Sequence, residues 1–518
     1  MILELGKYAV TGNQMKSIEE AAVKHYSLKI ADLMEVAGKA IADKIKKNKK
    51  WKKILVISGK GNNGGDGMVC ARFLKESKRE VRIELLSKED NLPSLVWQNL
   101  QKAEAKGIKI SEMPALKKVS SDLRWADVVV DGIFGFGFKD RLKGYYGQVV
   151  EEINESNKPV IAIDIPTGVD ASTGKVSGKA VRAKSTVTFT CPKIGCLIYP
   201  GMLYTGDIDV VNIGIPFQAV DKKITCLLTD PEECANLIPH RRINSHKKSV
   251  GKVLVIAGSQ GMTGAAVLAC RSALRTGAGT VVLACPEGLN QIFEIKLTET
   301  MTRPLSQTEE GTISPNAIET VIEMSKDFDV ILIGPGLSLN KETKVFIRAI
   351  IKKANMPIVI DADGLNALSE SPGILLKRNI ETIITPHPGE LGRLLKISAD
   401  EIQKDRLKWA KEAYRKLNAV TILKGERSLI TEKNHTVINL SGNPGLSTAG
   451  TGDVLAGMIA SLWAQGVPAF QAGILGTYLH GIAADIAVEE LTEWGLLAGD
   501  VLKHIPKAIK RLLEYKVS

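Results

Sequence analysis

The feature that most constrains the fold is an alternation of short apolar runs with helix-patterned stretches, which continues from about residue 50 to the end of the chain. The runs are rich in β-branched residues and have strand length, at Ile54–Ile57, Val81–Leu86, Val128–Val130, Val160–Ile163, Val253–Ile256, Thr280–Ala284, Val330–Ile333, Ile358–Ile360 and Thr382–Ile384. Continuous apolar strands fit a sheet that is buried on both faces, and the helices between them supply the crossovers of parallel strands. The sequence therefore predicts an α/β fold.

The alternation is interrupted once, between about Gly214 and Gly251, by a stretch that contains three prolines and the basic run His240-Arg241-Arg242. A length of 518 residues also exceeds that of a usual single domain. We therefore predict a first domain over residues 1–220, a linker region over 221–245 and a second domain over 246–518. The two halves share no convincing repeat, so we expect two different folds.

The composition limits the classes of partner. The net charge is +12, but 57 acidic residues and only 5% aromatic residues accompany it, which favours small anionic ligands over nucleic acid. The seven cysteines lack metal-type spacing and are typical of reduced thiols. No apolar run approaches the roughly 18 residues of a membrane span. We expect a cytoplasmic homo-oligomer with no nucleic-acid or membrane partner.

A glycine-rich loop near the C-terminus carries the strongest functional signal. It reads Gly450-Thr451-Gly452-Asp453 and runs into a helix-patterned stretch, so its backbone N–H groups should favour phosphate charge. A phosphate would repel Asp453 unless this carboxylate had a role there, such as a general base in phosphoryl transfer. The structural alternative is a turn in which Asp453 is the N-cap of the helix.

The first domain opens with a second glycine-rich loop. Gly59, Gly61 and Gly64 satisfy the dinucleotide pattern GxGxxG between a strand and a helix. The acidic residue expected about 20 positions later is only loosely matched by Glu80 or Glu84. Oxygen-bearing side chains inside the loop could hold a phosphate, a ribose or a hard cation, or could form a structural turn; they are Asn62, Asn63 and Asp66.

Two later strand candidates also end in polar, glycine-rich turns. Asp131 follows Val128–Val130, and Asp164 follows Val160–Ile163. Each aspartate alone could be a loop cap. Groups just past the carboxyl ends of parallel strands converge on one crevice, so three such turns together predict a binding cleft.

These motifs resemble the NAD(P)H-hydrate epimerase family. The matching segments are GNNGGDG at 61–67, DGIFGFG at 131–137, DIPTGVDASTG at 164–174, CPKIG at 191–195, Tyr199-Pro200-Gly201, and the leading stretch from Gln14-Met15 to Leu33–Gly38. The resemblance implies a Rossmann-like three-layer α/β/α fold and interconversion of the R and S epimers of hydrated NADH or NADPH. Thr167 stands where the family often has Ser, and the hydroxyl is kept.

The same resemblance implies site residues. Substrate would be bound by Asn62, Asn63, Gly64, Gly65 and Asp66, and by a closing loop of Gly135, Phe136, Gly137, Phe138, Lys139, Asp140 and Arg141. Asp164 would be the acid–base group. A potassium ion would be held by Asn63, Asp131 and Thr167.

The second half resembles the ribokinase-like superfamily and, within it, the NAD(P)H-hydrate dehydratases. The matching segments are GSQGMTGAA at 258–266, GPGL at 334–337, TPHPGE at 385–390, KGERS at 424–428, NPGLSTAGTGDVLAG at 443–457, GTYLHG at 476–481 and AGDVL at 498–502. One departure is Ser338, where a glycine often follows GPGL.

This resemblance implies that the hydrated nicotinamide nucleotide contacts Ala265, Gly336, His387 and Asp453. The adenine nucleotide would contact Lys424, Gly425, Glu426, Arg427, Ser428 and Gly452. Asp453 would accept the proton of the C6 hydroxyl as this hydroxyl attacks the terminal phosphoryl group, with Mg²⁺ balancing charge. Phosphate then leaves and the dihydropyridine is restored.

The expected function is therefore repair of hydrated NADH and NADPH, with ADP as phosphoryl donor. Three alternatives stay open at this point: ATP as donor, a small-molecule kinase with a regulatory domain, and a nucleotide-binding scaffold whose first half has lost catalysis.

Overall fold

The structure is a computed structural model that describes residues 7–139, 141–220, 224–244, 246–247 and 250–516. The chain divides into two compact units, Met1–Cys226 and Leu227–Ser518. The division lies inside the range 221–245 that the sequence predicts as a linker. That range also contains a strand, Cys226–Leu228, and a helix, Pro231–Leu237. The helix forms there because Pro231 stands at its first position and the Asp230 carboxylate accepts from the N–H of Glu233 at 2.9 Å.

Seven strands of the described chain form one sheet in the first unit. They are β1 Lys53–Ser58, β2 Glu80–Leu85, β3 Lys109–Glu112, β4 Val128–Gly132, β5 Val160–Ile163, β6 Ser185–Phe189 and β7 Asp207–Val211. The order is β3-β2-β1-β4-β5-β6-β7, and every neighbouring pair is parallel. The strand order reverses between β1 and β4, which is where a sheet of this kind binds ligands beyond its carboxyl ends.

Helices cover both faces of this sheet. Their ranges are Gly12–Tyr26, Ile30–Lys47, Asn62–Glu76, Ser94–Ala105, Leu116–Trp125, Gly144–Glu155, Ile194–Leu197 and Met202–Thr205, with 3₁₀ turns at Glu89–Asn91 and Phe217–Ala219. Ile54 and Val56 belong to one apolar cluster, whereas Leu55 and Ile57 belong to another. Successive side chains of a strand point to opposite faces, so the two clusters are the two helix–sheet interfaces. The predicted three-layer α/β/α architecture is confirmed.

The second unit contains a larger sheet, with ten strands in the part of the chain that the structure describes. They are β8 Cys226–Leu228, β9 Lys252–Ile256, β10 Thr280–Pro286, β11 Met301–Leu305, β12 Val330–Ile333, β13 Ile358–Ile360, β14 Thr382–Ile384, β15 Val420–Leu423, β16 Leu429–Glu432 and β17 His435–Ile438. The order is β11-β10-β9-β12-β13-β14-β15-β16-β17-β8. From β11 to β15 neighbours are parallel, and β15, β16 and β17 pair antiparallel.

The helices of the second unit begin with Pro231–Leu237. They continue with Thr263–Arg275, Asn290–Lys296, Ile318–Ser325, Lys341–Lys353, Asp363–Leu368, Gly373–Leu376, Pro388–Leu395, Ala399–Lys404, Arg406–Leu417, Thr451–Ala464, Ala469–Glu490 and Ala498–Leu513. Short 3₁₀ turns lie at Glu287–Leu289, Pro315–Ala317, Pro444–Leu446 and Glu514–Lys516. The helix Thr451–Ala464 is buried along nearly its whole length, which fixes the loop before it relative to the sheet.

Among the described residues, no helix combines the length and the apolar character needed to cross a bilayer. All seven cysteines are buried and unbridged.

Two candidate active sites

The first site lies where β1, β4 and β5 end. Asp131 is the fourth residue of β4 and pairs in register with Ile57 of β1 and Ala162 of β5. The loop after β1 enters the helix Asn62–Glu76 at once, with Gly61 as its N-cap. A Cβ at Gly59 would lie 2.0 Å from the Ile133 carbonyl oxygen, so the glycine permits the close approach of these two strand ends.

The three predicted potassium ligands are brought together around one buried carboxylate. Thr167 donates to Asp131 twice, from its backbone N–H to Oδ2 at 2.8 Å and from its hydroxyl to Oδ1 at 2.7 Å. Asn63 Nδ2 donates to the Phe134 carbonyl at 3.1 Å, and the Phe134 N–H donates to Thr167 Oγ1 at 3.0 Å. Burial raises the pKa of Asp131 to about 6, although the hydrogen bonds from Thr167 oppose the rise.

Asp164 is held in a conformation that few side chains adopt. Its φ is 63°, and its N–H donates to the Val187 carbonyl at 2.8 Å. Its Oδ1 atom accepts from Thr188 Oγ1 at 3.2 Å and from the Phe189 N–H at 3.1 Å. The ammonium of Lys193 also donates to this oxygen. Thr188, Phe189 and Lys193 therefore all donate to the same carboxylate oxygen and hold the side chain in place.

Lys193 is a site residue to which the sequence analysis gave no role. Its side chain is fully buried, and Nζ also donates to Thr188 Oγ1 and to the Phe189 carbonyl, each at 3.2 Å. The ring of Phe136 lies 5.7 Å from the ammonium. The segment CPKIG marked the family, but only the fold places its lysine against Asp164.

A cavity of about 350 Å³ opens next to this cluster. Its polar wall includes Asn62 and Asp66, as predicted, and also Glu19, which the sequence analysis did not single out. Burial, together with the nearby charge of Asp164, raises the pKa of Glu19 to about 7. Burial likewise raises the pKa of Asp66 well above its ordinary value. The other wall is apolar, with Leu33 and Met34 among its residues.

The loop predicted to close on the nucleotide is ordered by aromatic contacts. The rings of Phe134 and Phe138 stack with centroids 4.5 Å apart, and the Phe138 N–H donates to the Gly135 carbonyl at 3.1 Å. Lys139 Nζ donates to Asn13 Oδ1 at 3.1 Å. The predicted contact Asp140 lies outside the described residues.

Neither residue considered for the ribose-binding acid lies at the cleft. Glu80 begins β2, at the end of the strand remote from the glycine-rich loop, and its side chain is exposed. Glu84 is fully buried beside Asp122, and burial with this neighbour raises the pKa of Glu84 to about 8. The spacing of the dinucleotide pattern therefore does not identify a ribose-binding acid here, because Glu80 is exposed at the far end of β2 and Glu84 is buried beside Asp122.

The second site is built around the loop before the helix Thr451–Ala464. Gly450, not Asp453, is the N-cap, and its φ is 92°. Asp453 is the third helical residue and forms no capping hydrogen bond. The structural alternative for Asp453 was therefore wrong. Gly452 serves a different purpose, since a Cβ there would lie 3.3 Å from Lys424 Nζ.

Asp453 faces an ion pair that is already formed. Lys424 Nζ donates to Asp361 Oδ1 at 2.7 Å, and Thr385 Oγ1 donates to the same oxygen at 2.7 Å. Burial and the Asp361 charge raise the pKa of Asp453 to about 7, with Lys424 opposing the rise. Burial lowers the pKa of Lys424, but the carboxylates of Asp361 and Glu390 outweigh it and raise this pKa.

His387 caps the helix Pro388–Leu395. Its Nδ1 accepts from the N–H groups of Gly389 at 3.0 Å and Glu390 at 3.4 Å, and Glu390 Oε2 accepts from the His387 N–H at 2.9 Å. Burial and the charge of Lys424 lower the pKa of His387. The ring is therefore neutral, and half of the side chain remains exposed on the site.

The KGERS loop is held from beneath by Arg406, which the sequence analysis missed. The guanidinium is buried and donates to the carbonyls of Leu423 and Lys424, each at 3.2 Å, and to that of Glu426. Gly425 has φ 143°, and a Cβ there would lie 2.8 Å from Arg406 Nη2. No spacing rule links residue 406 to this loop, so only the structure reveals the contact.

The predicted nicotinamide contacts Ala265 and Gly336 do meet. A Cβ at Gly336 would lie 3.1 Å from the Ala265 Cβ and 2.8 Å from the Met262 carbonyl oxygen. Ser338 has φ 78°, a region that favours glycine, and its N–H donates to Asp363 Oδ2 at 2.9 Å. The departure at Ser338 therefore leaves the loop conformation intact.

Two family models match the chain. Residues 253–507 match the family described as NAD(P)H-hydrate dehydratase, and residues 30–195 match the family described as YjeF-related protein N-terminus. These are the two domains that the motifs predicted.

Relatives match along nearly the whole length. The chain is 38% identical to the bifunctional NAD(P)H-hydrate repair enzyme Nnr of Moorella thermoacetica, covering 98% of this chain and 97% of the relative. The enzyme of the same name from Coxiella burnetii is 34% identical, covering 95% and 97%. Among solved structures, the ADP/ATP-dependent NAD(P)H-hydrate dehydratase of Bacillus subtilis is 30% identical with TM-score 0.48, covering 55% of this chain and 98% of that one.

These matches do not favour the small-molecule kinase or the scaffold. A relative named as a bifunctional NAD(P)H-hydrate repair enzyme covers 98% of the chain, and Asp131 and Asp164 of the first site are both present. The chain belongs to the family of bifunctional NAD(P)H-hydrate repair enzymes.

Proposed function

We propose that Asp453 is the general base of the dehydratase reaction, within the overall activity of hydrate epimerisation and dehydration that the family performs. The observation that carries this proposal is the position of Asp453 at a phosphate-favouring helix N-terminus with a pKa raised to about 7. A base with this pKa is available at neutral pH and still strong enough to accept a hydroxyl proton.

Dehydration takes two steps, phosphoryl transfer to the C6 hydroxyl and then elimination of phosphate. Asp453 takes the proton of the C6 hydroxyl while this oxygen bonds to the terminal phosphorus of the nucleotide, and the bond between that phosphorus and its bridging oxygen breaks. With ADP as donor, AMP leaves. In the second step a proton is lost from C5 as the C6–O bond breaks, and inorganic phosphate departs with the electron pair. The product is the dihydropyridine of NADH or NADPH.

The proposed contacts of the two substrates follow the surroundings of Asp453. Lys424, Gly452 and the loop through Ser428 form the side proposed for the adenine nucleotide, because Lys424 supplies positive charge and Gly452 leaves space beside it. Ala265, Gly336 and the neutral ring of His387 form the side proposed for the nicotinamide. We propose ADP as donor, and the Bacillus subtilis relative is named as dependent on ADP or ATP.

The donor set of this site also fits Mg²⁺. No cluster of three or more His, Cys, Asp or Glu suited to a metal is present among the residues that the structure describes. Mg²⁺ is commonly held by one or two carboxylates together with substrate phosphates, and Asp361 and Asp363 are carboxylates whose charges act on Asp453. When bound, the ion would neutralise charge that develops on the transferred phosphoryl group.

In the first unit we propose that Asp164 is an acid–base group of the epimerase reaction. We also propose that Asn63, Asp131 and Thr167 hold K⁺. The fit rests on Asp131, whose buried carboxylate has oxygen-bearing neighbours and no cationic partner among its described contacts. The ion would balance this charge and hold the loop after β4 in place.

The chain is further proposed to act as a homo-oligomer in the cytoplasm. Tyr26, Ile30 and Val36 are exposed apolar side chains of one helical pair, which would support self-association. Unbridged cysteines fit a reducing compartment.

The proposal is tested with purified protein and a mixed pool of R and S NADH hydrates. Absorbance at 340 nm and released phosphate are followed after adding ADP, ATP or neither nucleotide. We expect equal amounts of NADH and phosphate, complete use of both epimers, and faster turnover with ADP. A stable phosphorylated product, or NADH formed without nucleotide, would contradict the dehydratase proposal.

A further inference from the structure

Epimerisation at C6 requires two proton transfers on opposite faces of the ring, which a single carboxylate does not provide. The hydroxyl must leave from one face of the ring and return to the other. The departing oxygen needs a proton, and the incoming water must lose one. In the proposed epimerase site, on which this inference rests, Asp164 is one such group, and a second group has to carry out the complementary proton transfer on the other face of the ring.

We propose that Glu19 is the second catalytic acid–base residue of the epimerase site, acting opposite Asp164. Glu19 lies on the helix Gly12–Tyr26 and lines the cavity of about 350 Å³ together with Asn62, Asp66 and Phe189. Phe189 also donates its N–H to Asp164, so this carboxylate lies directly beside a lining residue of the cavity.

The backbone fixes the position of Glu19 relative to Lys193 and Asp164. Just before the helix, Val10 forms a parallel bridge with Lys193. The Val10 N–H donates to the Pro192 carbonyl at 3.0 Å, and the Ile194 N–H donates to the Val10 carbonyl at 2.9 Å. A capping box at Thr11 then starts the helix. The acid on the helix and the lysine behind Asp164 therefore form one rigid arrangement.

The two carboxyl groups have opposite surroundings. Three groups, including the Lys193 ammonium, donate hydrogen bonds to the carboxylate of Asp164. Glu19 is desolvated and faces the negative charges of Asp164 and Asp66, and the positive charge of Lys193 opposes them. On its own helix, Glu20 adds a weaker negative charge, and Glu20 is itself paired with Lys16 at 3.9 Å. Burial and these negative charges raise the pKa of Glu19 to about 7, so a large share of its carboxyl groups carries a proton near neutral pH.

With Glu19 as the acid and Asp164 as the base, epimerisation proceeds through loss and re-addition of water at C6. Glu19 donates its proton to the C6 hydroxyl of the R hydrate, the C6–O bond breaks, and the ring nitrogen lone pair forms a C6=N1 iminium as water leaves. A water molecule attacks C6 from the opposite face and forms the new C6–O bond, while Asp164 accepts its proton. Exchange with solvent returns both groups to their starting states, and the reverse reaction exchanges their roles.

The test uses the full-length protein without nucleotide, so that epimerisation is observed alone. R hydrate is converted to S hydrate and followed by chromatography over the spontaneous rate. We expect Glu19→Gln to lower kcat by about 100-fold or more with little change in KM. Glu19→Asp should restore part of the rate. The matched control is Glu104→Gln, which removes the same charge from an exposed position of the helix Ser94–Ala105, outside the residues that line the cavity, and should leave the rate unchanged.

A pH profile separates catalysis from a structural role. The wild-type kcat/KM should fall above about pH 7, where Glu19 loses its proton, and this alkaline limb should be absent in Glu19→Gln. Dehydration of S hydrate with ADP and the melting temperature near neutral pH should both be preserved, because Gln keeps the size and shape of the protonated Glu19 side chain.

Wild-type epimerisation rates in Glu19→Gln would overturn this inference and leave the proposed epimerase site intact. An alkaline limb that persists in Glu19→Gln and disappears in Asp66→Asn would overturn it in favour of Asp66. Absence of epimerisation in the wild-type protein would instead overturn the proposed epimerase site itself.

Discussion

Lys424 Nζ donates a hydrogen bond to Asp361 Oδ1 at 2.7 Å, at the edge of the sheet where β13 and β15 end. Lys424, whose positive charge lowers the pKa of Asp453, is thus already engaged with another carboxylate. Asp453 is therefore incompletely compensated, and its pKa of about 7 follows from burial beside Asp361. The charges of Asp361 and Lys424 therefore shift the pKa of Asp453 in opposite directions.

The first prediction concerns the pH dependence of dehydration. Asp453 must be ionised to accept a proton, so kcat/KM for S hydrate should rise about tenfold for each pH unit below about 7 and level off above it. Initial rates between pH 5 and 9 at saturating ADP would measure this. A rate that does not change across this range would count against Asp453 as the base.

The second prediction concerns Lys424. Its ammonium lowers the pKa of Asp453, so Lys424→Met should move the acidic limb of the dehydratase profile to higher pH by about one unit. The same variant should bind nucleotide more weakly. Lys433→Met, which removes a charge from the turn between β16 and β17, is the control. An unshifted limb in Lys424→Met would show that the two groups are not coupled.

The third prediction concerns stability. The folded-state pKa of Asp453 is about 7 and its ordinary value is 3.8, so between these values the folded protein holds a proton that the unfolded chain has released. This group's contribution to stability therefore falls as pH rises from about 4 to 7. Asp453→Asn should melt at a higher temperature than wild type at pH 8, with a smaller difference at pH 4, by scanning calorimetry. A lower melting temperature at pH 8 would contradict the raised pKa.

The fourth prediction concerns the proposed K⁺ site. Thr167→Ser keeps the hydroxyl that donates to Asp131 at 2.7 Å, whereas Thr167→Val removes it. Epimerisation by wild type and Thr167→Ser should increase as KCl replaces N-methylglucamine chloride at constant ionic strength. Thr167→Val should be slow and should not respond. An equal response of the valine variant would exclude Thr167 as a ligand.

Much of the fold could be predicted from the apolar runs. The strand candidates Val330–Ile333, Ile358–Ile360 and Thr382–Ile384 match β12, β13 and β14 residue for residue. Such strands are buried on both faces and therefore carry an uninterrupted apolar signal. The edge strand β7, Asp207–Val211, contains two aspartates and is partly exposed. It therefore lacks the continuous apolar run by which the buried strands were predicted.

The site residues also fall into two groups: those that the sequence motifs predicted and those that only the tertiary fold reveals. Loops with glycine-rich motifs were found because their chemistry is local in sequence, and Gly450 and Gly336 do adopt positive φ. Lys193, Arg406 and Glu19 were not found, because each acts through a contact that the tertiary fold creates. Arg406, for example, lies 17 residues before the Leu423 carbonyl that it binds.

The measurement that tests the central claim most directly compares wild type with Asp453→Asn on a mixed pool of R and S hydrates. Asp400→Asn, an exposed position on the helix Ala399–Lys404, serves as the control. With ADP present, the rise at 340 nm should be at least about 100-fold slower in Asp453→Asn, while R and S still interconvert at the wild-type rate. NADH formation at the wild-type rate in Asp453→Asn would contradict the assignment of Asp453 as the catalytic base.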